Sequence, residues 1–510
     1  MLFTILALVG VAAALLYNYY YNMYNYWTRM GVPHEKPLPI VGNFGGVIGG
    51  RLHFRDINQH MYNRFKGKTP FAGMFIFFRR AAFITDLELV KMVLIKDFST
   101  FQDRGLFNNV RDDPLTGHLL TLEGEEWRSL RNKLTPVFTS GKMKQMFTVV
   151  VKVGQRLADT MKTTVKAAAV DQGDVELKEL CARFTTDVIG TCAFGLECNS
   201  LADPQAEFRT KGRMLFEKPR HSPFVQSFIF TNPKLARKFR LKLFPDDVSE
   251  FFMKAVQNTV DYRLKNNIKR NDFMGLVMEL LAEDQDTARQ AGGIDLSQGL
   301  TIEQLAAQAF VFFIAGFETS SSTMAFCLYE LALHQEIQDR LRKEIESVLE
   351  ALDGELTYEA MQQMHYLDQV LAETLRKHPI LPHLLREANQ NFLVPGTRLV
   401  IEGGTSVLIP VHSIHYDPEY YPEPERFDPE RFTPEAVAAR NPFAYLPFGD
   451  GPRNCIGLRF GKMQAKIGLI MLVRHFKFDV CKRTEVPLIL STRTFTLNTE
   501  QGIHLKVEPV

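Results

Sequence analysis

The chain has 510 residues, with 60 Lys and Arg against 58 Asp and Glu, so its formal charge is only +2. That balance excludes a generally basic nucleic-acid coat, and 45% hydrophobic with 23% charged residues excludes wholesale disorder, a collagen and a polytopic membrane protein. Six cysteines without a Cys-x-x-Cys pair argue against a zinc ribbon or a disulfide-stapled secreted protein, and for a reducing compartment.

Residues 1–28 carry no charged side chain. Met1 to Leu16 is apolar except for Thr4, and a Tyr/Asn stretch, Tyr17 to Tyr26, follows. Apolar length with a flank of amphipathic rings predicts an N-terminal membrane anchor over 1–28. A cleaved signal peptide is the rival, since Ala12-x-Ala14 resembles a cleavage site; the basic leading segment is missing, however. Arg29 and Lys36 follow the span, which keeps the body cytosolic. Pro33, Pro37, Pro39 and Gly42 predict a stiff linker over 29–50, and the body is expected over 51–510.

Residues 70–86 read as short strands, 125–350 as mainly helical, and 390–412 as strands again. A Pro-rich stretch spans 417–447, a helix is predicted over about 458–475, and strands close the chain. The fold class is therefore mainly α with small β-sheets. One helix stands out: Thr301-Ile302-Glu303-Gln304 is a capping box, and no proline follows until after Glu350. Leu305 to Leu333 is apolar enough to span a bilayer, but the cluster Glu318-Thr319-Ser320-Ser321-Ser322-Thr323 makes a long buried helix the better reading. A second feature lies at 218–242. Lys218, Arg220, Lys234, Arg237, Lys238, Arg240 and Lys242 are interleaved with Phe224, Val225, Phe228, Ile229 and Phe230, with no acid between Glu217 and Asp246. Beside an anchor this reads as a monotopic membrane contact; nucleic-acid binding is the alternative that the anchor disfavours.

The densest chemical signal is Phe448-Gly449-Asp450-Gly451-Pro452-Arg453-Asn454-Cys455-Ile456-Gly457. Gly449, Gly451 and Pro452 force an irregular loop. Arg453 and the N-terminus of the following helix both favour a thiolate at Cys455, and Gly457 leaves room for a flat object. A lone cysteine is usually a small buried hydrophobe, but Phe-x-x-Gly-x-Arg-x-Cys-x-Gly matches in full. At this motif the chain resembles a cytochrome P-450, a haem-thiolate monooxygenase. Three further elements carry the resemblance. Glu373-Thr374-Leu375-Arg376 matches the Glu-x-x-Arg motif, which alone would be an ordinary surface pair. Pro429-Glu430-Arg431-Phe432 matches the second arginine motif, its spacing from Cys455 favouring it over the earlier copy at 424–427. Ala315-Gly316-Phe317-Glu318-Thr319 matches the oxygen-binding helix, with Ala315 and Thr319 on one face. Thr319 could instead bond back to the Ala315 carbonyl and merely bend the helix.

Over residues 30–510 the chain is most similar to the insect microsomal branch, associated with detoxification. The resemblance implies a cytochrome P-450 fold with haem b (iron protoporphyrin) held by Cys455 and packed against Gly457, Ala315 and Gly316. It implies propionate contacts from Trp127, Arg131, Arg386 and Arg453, with Arg104 and His383 as weaker candidates. Glu373, Arg376 and Arg431 would form a structural triad, and Thr319 and Glu318 would handle protons. No Gly-x-Gly-x-x-Gly fingerprint occurs, so electrons must come from outside. The implied donor is an NADPH-dependent flavoprotein reductase, with a microsomal b-type cytochrome as an optional second partner and no nucleic acid. Arg128, Lys133, Lys142, Lys144, Arg459, Lys462 and Lys466 are candidate docking charges.

The expected location is the cytosolic face of the endoplasmic reticulum membrane. Substrate candidates are Phe107, Val110, Leu115, Leu119, Val311, Ile314, Ile380, Leu381 and Phe495, all uncharged. They point to lipophilic substrates, xenobiotics such as insecticides or plant toxins. Two alternatives stay open: a haem-binding sensor or carrier without turnover, and a biosynthetic monooxygenase of an endogenous lipid or hormone.

Overall fold

A computed structural model describes residues 2–168, 173–270, 272–279, 301–492 and 494–510. Helix α1 (Leu2–Tyr24) is 23 residues long, and no residue in it is buried. At 1.5 Å per residue it is about 35 Å long, enough to cross a hydrocarbon core. The boundary expected at residue 28 falls inside packed structure. Trp27 is fully buried and donates its indole N–H to the Met74 carbonyl at 3.1 Å. Nor does 29–50 hang free as a linker. Val32 and Phe44 enter the same core, and the Asn43 side chain accepts from the Phe75 N–H at 2.7 Å. Proline fixes φ, but the apolar residues between the prolines still gain by leaving water.

Helix α2 (Phe54–Phe65) opens on a reciprocal cap between His53 and Asp56. Strands β1 (Phe71–Ile76) and β2 (Arg79–Ile84) pair antiparallel, the segment read as strands from the sequence. The helical half follows: α3 (Gly124–Leu134), α4 (Ser140–Ala168) and α5 (Leu177–Ile189), with β3 (Asp174–Glu176) between the last two. Then come α6 (Glu207–Glu217), α7 (Pro223–Thr231) and α8 (Asp246–Lys265). The helical reading of 280–300 lies outside the described residues.

Helix α9 (Ile302–Leu333) starts on the capping box: Thr301 Oγ1 accepts from the Gln304 N–H at 3.2 Å, and Gln304 Oε1 accepts from the Thr301 N–H at 2.8 Å. Most of α9 is buried inside the protein, which accounts for its membrane-like composition. The helix stops at His334, and α10 (Gln335–Glu350) begins anew. The His334 ring bonds the Glu330 carbonyl at 2.9 Å, one of the orphan acceptors of a helix end, so no proline or glycine is needed there.

After α11 (His365–Lys377) the chain forms β4 (Leu384–Glu387), β5 (Phe392–Leu393), β6 (Val400–Ile401) and β7 (Ser406–Ile409). Strand β7 lies parallel to β2 and antiparallel to β4, giving a mixed sheet of order β1-β2-β7-β4, while β5 and β6 form a separate hairpin. Helix α12 (Val411–His415) packs on α2. Helix α13 (Leu458–His475), β8 (Phe476–Asp479) and β9 (His504–Pro509) complete the chain, with β3 joining them in the order β3-β9-β8. Two apolar cores result, one among α4, α5, α9 and α13 and one around the mixed sheet.

Candidate active site

Residues of both cores wall a cavity of about 1310 Å³. Ala315 and Thr319 of α9 line it, as does the loop 447–457 before α13. That loop turns on Gly449 (φ +67) and Gly451 (φ +71). A Cβ on Gly451 would lie 2.0 Å from the Leu94 carbonyl oxygen, so only glycine fits there. The turn closes with the Cys455 N–H donating to the Phe448 carbonyl at 2.9 Å. Cys455 thus lines the cavity while its backbone is held, and no atom lies within 4 Å of where a Gly457 Cβ would stand.

Burial pushes the Cys455 thiol up. The Gly457 backbone N–H, Arg131 and Arg104 pull it down. Arg453, the residue expected to favour the thiolate, faces elsewhere. Its Nε donates to the Gln102 carbonyl at 2.8 Å, its Nη2 to the Leu122 carbonyl at 2.9 Å, and its guanidinium lies 3.9 Å from the Trp127 ring centre. A turn that starts at Gly451, whose carbonyl accepts from the Asn454 N–H at 3.0 Å, separates the expected and observed places of the Arg453 side chain, which sequence adjacency concealed. Arg131 takes over that side, donating to the Asn454 carbonyl at 3.1 Å and its side-chain oxygen at 2.8 Å.

The Thr319 hydroxyl donates to the Ala315 carbonyl at 2.6 Å. Glu318 also lines the cavity, but its Oε1 is bound by Lys178 Nζ at 2.9 Å and Asn498 Nδ2 at 3.2 Å. Neither partner was legible in the sequence, because each lies more than a hundred positions away with no motif of its own. Gly316 was expected to let a cofactor approach. It does line the cavity, and an added Cβ would lie 2.4 Å from Ile189 Cδ1 of α5. The glycine therefore serves helix–helix contact.

The model of the family described as "Cytochrome P450" matches residues 32–507. The chain is 66% identical over its full length to "Probable cytochrome P450 6a14" of Drosophila melanogaster, with all of that protein covered. It is 50% identical to "Cytochrome P450 6a2" of the same fly, 99% of each chain aligned, and 47% identical to "Cytochrome P450 6A1" of Musca domestica, with 100% and 98% covered. The chain belongs to the cytochrome P450 family.

With the family comes monooxygenase activity and a haem, and the residues of this P450 fit one. Arg104, Arg386 and Arg453 crowd together at the cavity wall. Burial and the neighbouring guanidiniums push Arg104 down to about 10 and Arg453 to about 9, and they hold Arg386 well below the usual arginine range. Asp103 pairs with Arg453 at 3.2 Å, but no carboxylate pairs with Arg104 or Arg386 among the described residues. Buried Arg386 Nε and Arg453 Nη1 have no partner there. Such a cluster calls for anions, and two propionates beside a thiol-lined cavity match that chemistry. Arg104, a weaker candidate from sequence, belongs to the cluster. The His383 ring meets Phe54, Phe495 and Asn58 instead, so it stands apart from the cluster.

Glu373 and Arg376 are fully buried in this P450 and joined by two bonds, 2.6 and 2.9 Å. Arg431 reaches the same carboxylate at 3.5 Å, whereas the Arg426 side chain of the earlier Pro-Glu-Arg-Phe copy is exposed. Phe107, Leu119, Val311, Ile314, Ile380, Leu381 and Phe495 line the cavity. Val110 does not: it is 45% exposed and packs on Gly117 at the outer turn Asn109–Asp113. Leu115 is buried in the helical core instead. Phe107 both lines the cavity and packs on Ile229 and Ala236, so its two readings merge. Of the docking charges, Lys466 drops out. It is buried, donating to the Met361 carbonyl at 2.8 Å and to Asp368 at 3.0 Å.

Proposed function

We propose that this monooxygenase sits on the cytosolic face of the endoplasmic reticulum membrane, anchored by α1, and inserts one oxygen atom of dioxygen into neutral lipophilic molecules. Xenobiotics such as insecticides and plant toxins are the substrate class. An NADPH-dependent flavoprotein reductase supplies the electrons, with a microsomal b-type cytochrome as an optional second donor. The observation that carries this reading is the largely apolar cavity that has Cys455 in one wall and the Ala315–Thr319 turn in another.

Cys455 would ligate haem iron, with Gly457 leaving space beside it, and Arg104, Arg386, Arg453, Trp127 and Arg131 would hold the propionate side. When bound, the haem supplies dioxygen activation, and its cysteine ligand favours O–O cleavage, an effect for which this family is the type example. Thr319 holds a water at the cavity wall by exchanging its bond to the Ala315 carbonyl. Glu318 delivers protons there after leaving Lys178 and Asn498. The apolar walls orient the substrate and exclude bulk water.

Arg128, Lys133, Lys142, Lys144, Arg459 and Lys462 remain candidates for reductase docking. Phe224, Phe230 and Phe239 are exposed beside the basic stretch and form a second membrane contact. Its charge is partly neutralised, since Arg220 and Lys242 pair with Asp246 and Arg240 with Asp112. The test is a reductase-reconstituted membrane assay over a panel of lipophilic compounds. NADPH consumption with product formation is the expected result; haem loading without turnover on any compound would leave a sensor or carrier instead.

A further inference from the structure

Two imidazoles line the cavity, those of His118 and His383. His383 is only 4% exposed, yet it lines the cavity. Its ring is clamped edge-on by Phe495 (5.0 Å, 85°) and tilted against Phe54 (5.7 Å, 49°), with cavity-lining Ile380 and Leu381 just before it. The backbone is held as well, because the Pro382 carbonyl accepts from the His412 N–H at 3.0 Å.

Behind the ring, buried Asn58 places its side-chain Nδ2 at 3.3 Å from His383 Nδ1. With the Asn58 amide nitrogen turned toward the ring, Asn58 donates, Nδ1 is the acceptor and the ring proton sits on Nε2. Nε2 has no hydrogen-bond partner among the described residues and is not among the sealed, unpartnered atoms. The open space beside the ring is the cavity that His383 lines. Burial pushes the ring down to about 3, so it carries a single N–H and no charge.

We propose that His383 is a specificity-determining residue that donates Nε2–H to an oxygen acceptor, such as a ketone or ester carbonyl, on an otherwise apolar substrate. This rests on the cavity being the substrate site. A neutral donor fixed among Phe54, Phe495, Ile380 and Leu381 discriminates strongly, because a substrate without an acceptor leaves a buried N–H unpaired.

The test uses full-length, haem-loaded protein in membranes and two probes of near-equal shape, 4-acetylbiphenyl and 4-ethylbiphenyl. Affinities are read from the haem spectral shift. Relative to wild type, His383→Phe should lower the ketone-to-ethyl affinity ratio about three- to tenfold, with 4-ethylbiphenyl affinity little changed. His383→Gln, which keeps a donor, should restore part of the ratio. An unchanged ratio in haem-loaded His383→Phe overturns the proposal. Should that variant fail to load haem, wild type alone decides: affinity must rise along the methyl ester, methyl ketone and dimethylamide of the same biphenyl as acceptor strength rises. A flat or falling series overturns the proposal. If neither biphenyl binds wild type, the lipophilic-substrate reading fails first and takes the proposal with it.

Discussion

Thr319 donates to the Ala315 carbonyl at 2.6 Å, and both residues line the cavity. Thr319→Ala removes the hydroxyl but not the helix. Haem content and substrate binding should persist while hydrogen peroxide released per NADPH rises; unchanged coupling would mean that the hydroxyl only bends α9. Glu318 lies one residue away but is held by Lys178 at 2.9 Å, both side chains nearly buried. Lys178→Met strands a carboxylate and should cost about 3 kcal/mol, read from thermal unfolding of the haem-loaded protein. Lys178→Met/Glu318→Gln should recover most of that loss; strict additivity of the two changes would show that the pair is not coupled. At this scale the sequence was informative only where chemistry is local. The loop from Phe448 to Gly457 is contiguous, so its turn and its thiol were legible. The cations nearest that thiol, Arg104 and Arg131, come from other parts of the chain. Arg453, two positions away, points elsewhere. Val110 failed as a cavity residue because apolar character alone does not fix which side of an irregular loop faces in.

Among elements, the contact of α9 with α5 depends on Gly316. Alanine there would help the helix by up to about 1 kcal/mol, but its Cβ would stand 2.4 Å from Ile189 Cδ1 and 2.9 Å from Cγ1. Overpacking of this kind costs about 1–3 kcal/mol, so Gly316→Ala should lower the melting temperature. Trimming the partner by Ile189→Val in the same chain should shrink the loss; an identical loss with and without Ile189→Val would place the strain elsewhere. Helix α9 itself was readable from its cap and its apolar run, because both are local signals. Its end was not, since His334 terminates it by a side-chain bond rather than by proline or glycine. Strand β4 escaped notice for a different reason. It is four residues long and ends in Arg386-Glu387, a pattern that gains meaning only beside β7.

For the whole molecule, the joint between anchor and body decides where the chain can be cut. Deleting residues 2–24 should leave a haem-loaded enzyme with weaker membrane insertion and residual peripheral binding through Phe224, Phe230 and Phe239. Complete solubility at low salt would exclude that second contact. Extending the cut through residue 28 removes Trp27 from the sheet core, a loss of about 3–5 kcal/mol, and the haem-loaded yield should fall. Equal yield from both truncations would refute a structural role for Trp27. Composition located the apolar helix because residues 1–28 carry no charge. It misplaced the boundary because burial of one tryptophan depends on a strand some fifty residues on.

Helix α1 does more than precede the body. The Tyr20 ring tilts against Phe78 with ring centres 5.7 Å apart, and Tyr24 meets Phe75 edge-on at 5.1 Å, so the last turns of α1 lie against the β1–β2 hairpin. A limp leash would let the globule swivel and show each side to the lipid in turn. Here the contacts act as a keyed coupling, transmitting the tilt of α1 to the mixed sheet. In a bilayer every copy would then hold one attitude, with the same rim always lowest, and polarised infrared dichroism should report a single orientation that Tyr20→Ala/Tyr24→Ala blurs. Compounds dissolved in the lipid would meet the same threshold at each encounter, making the stance of the molecule a part of its selectivity.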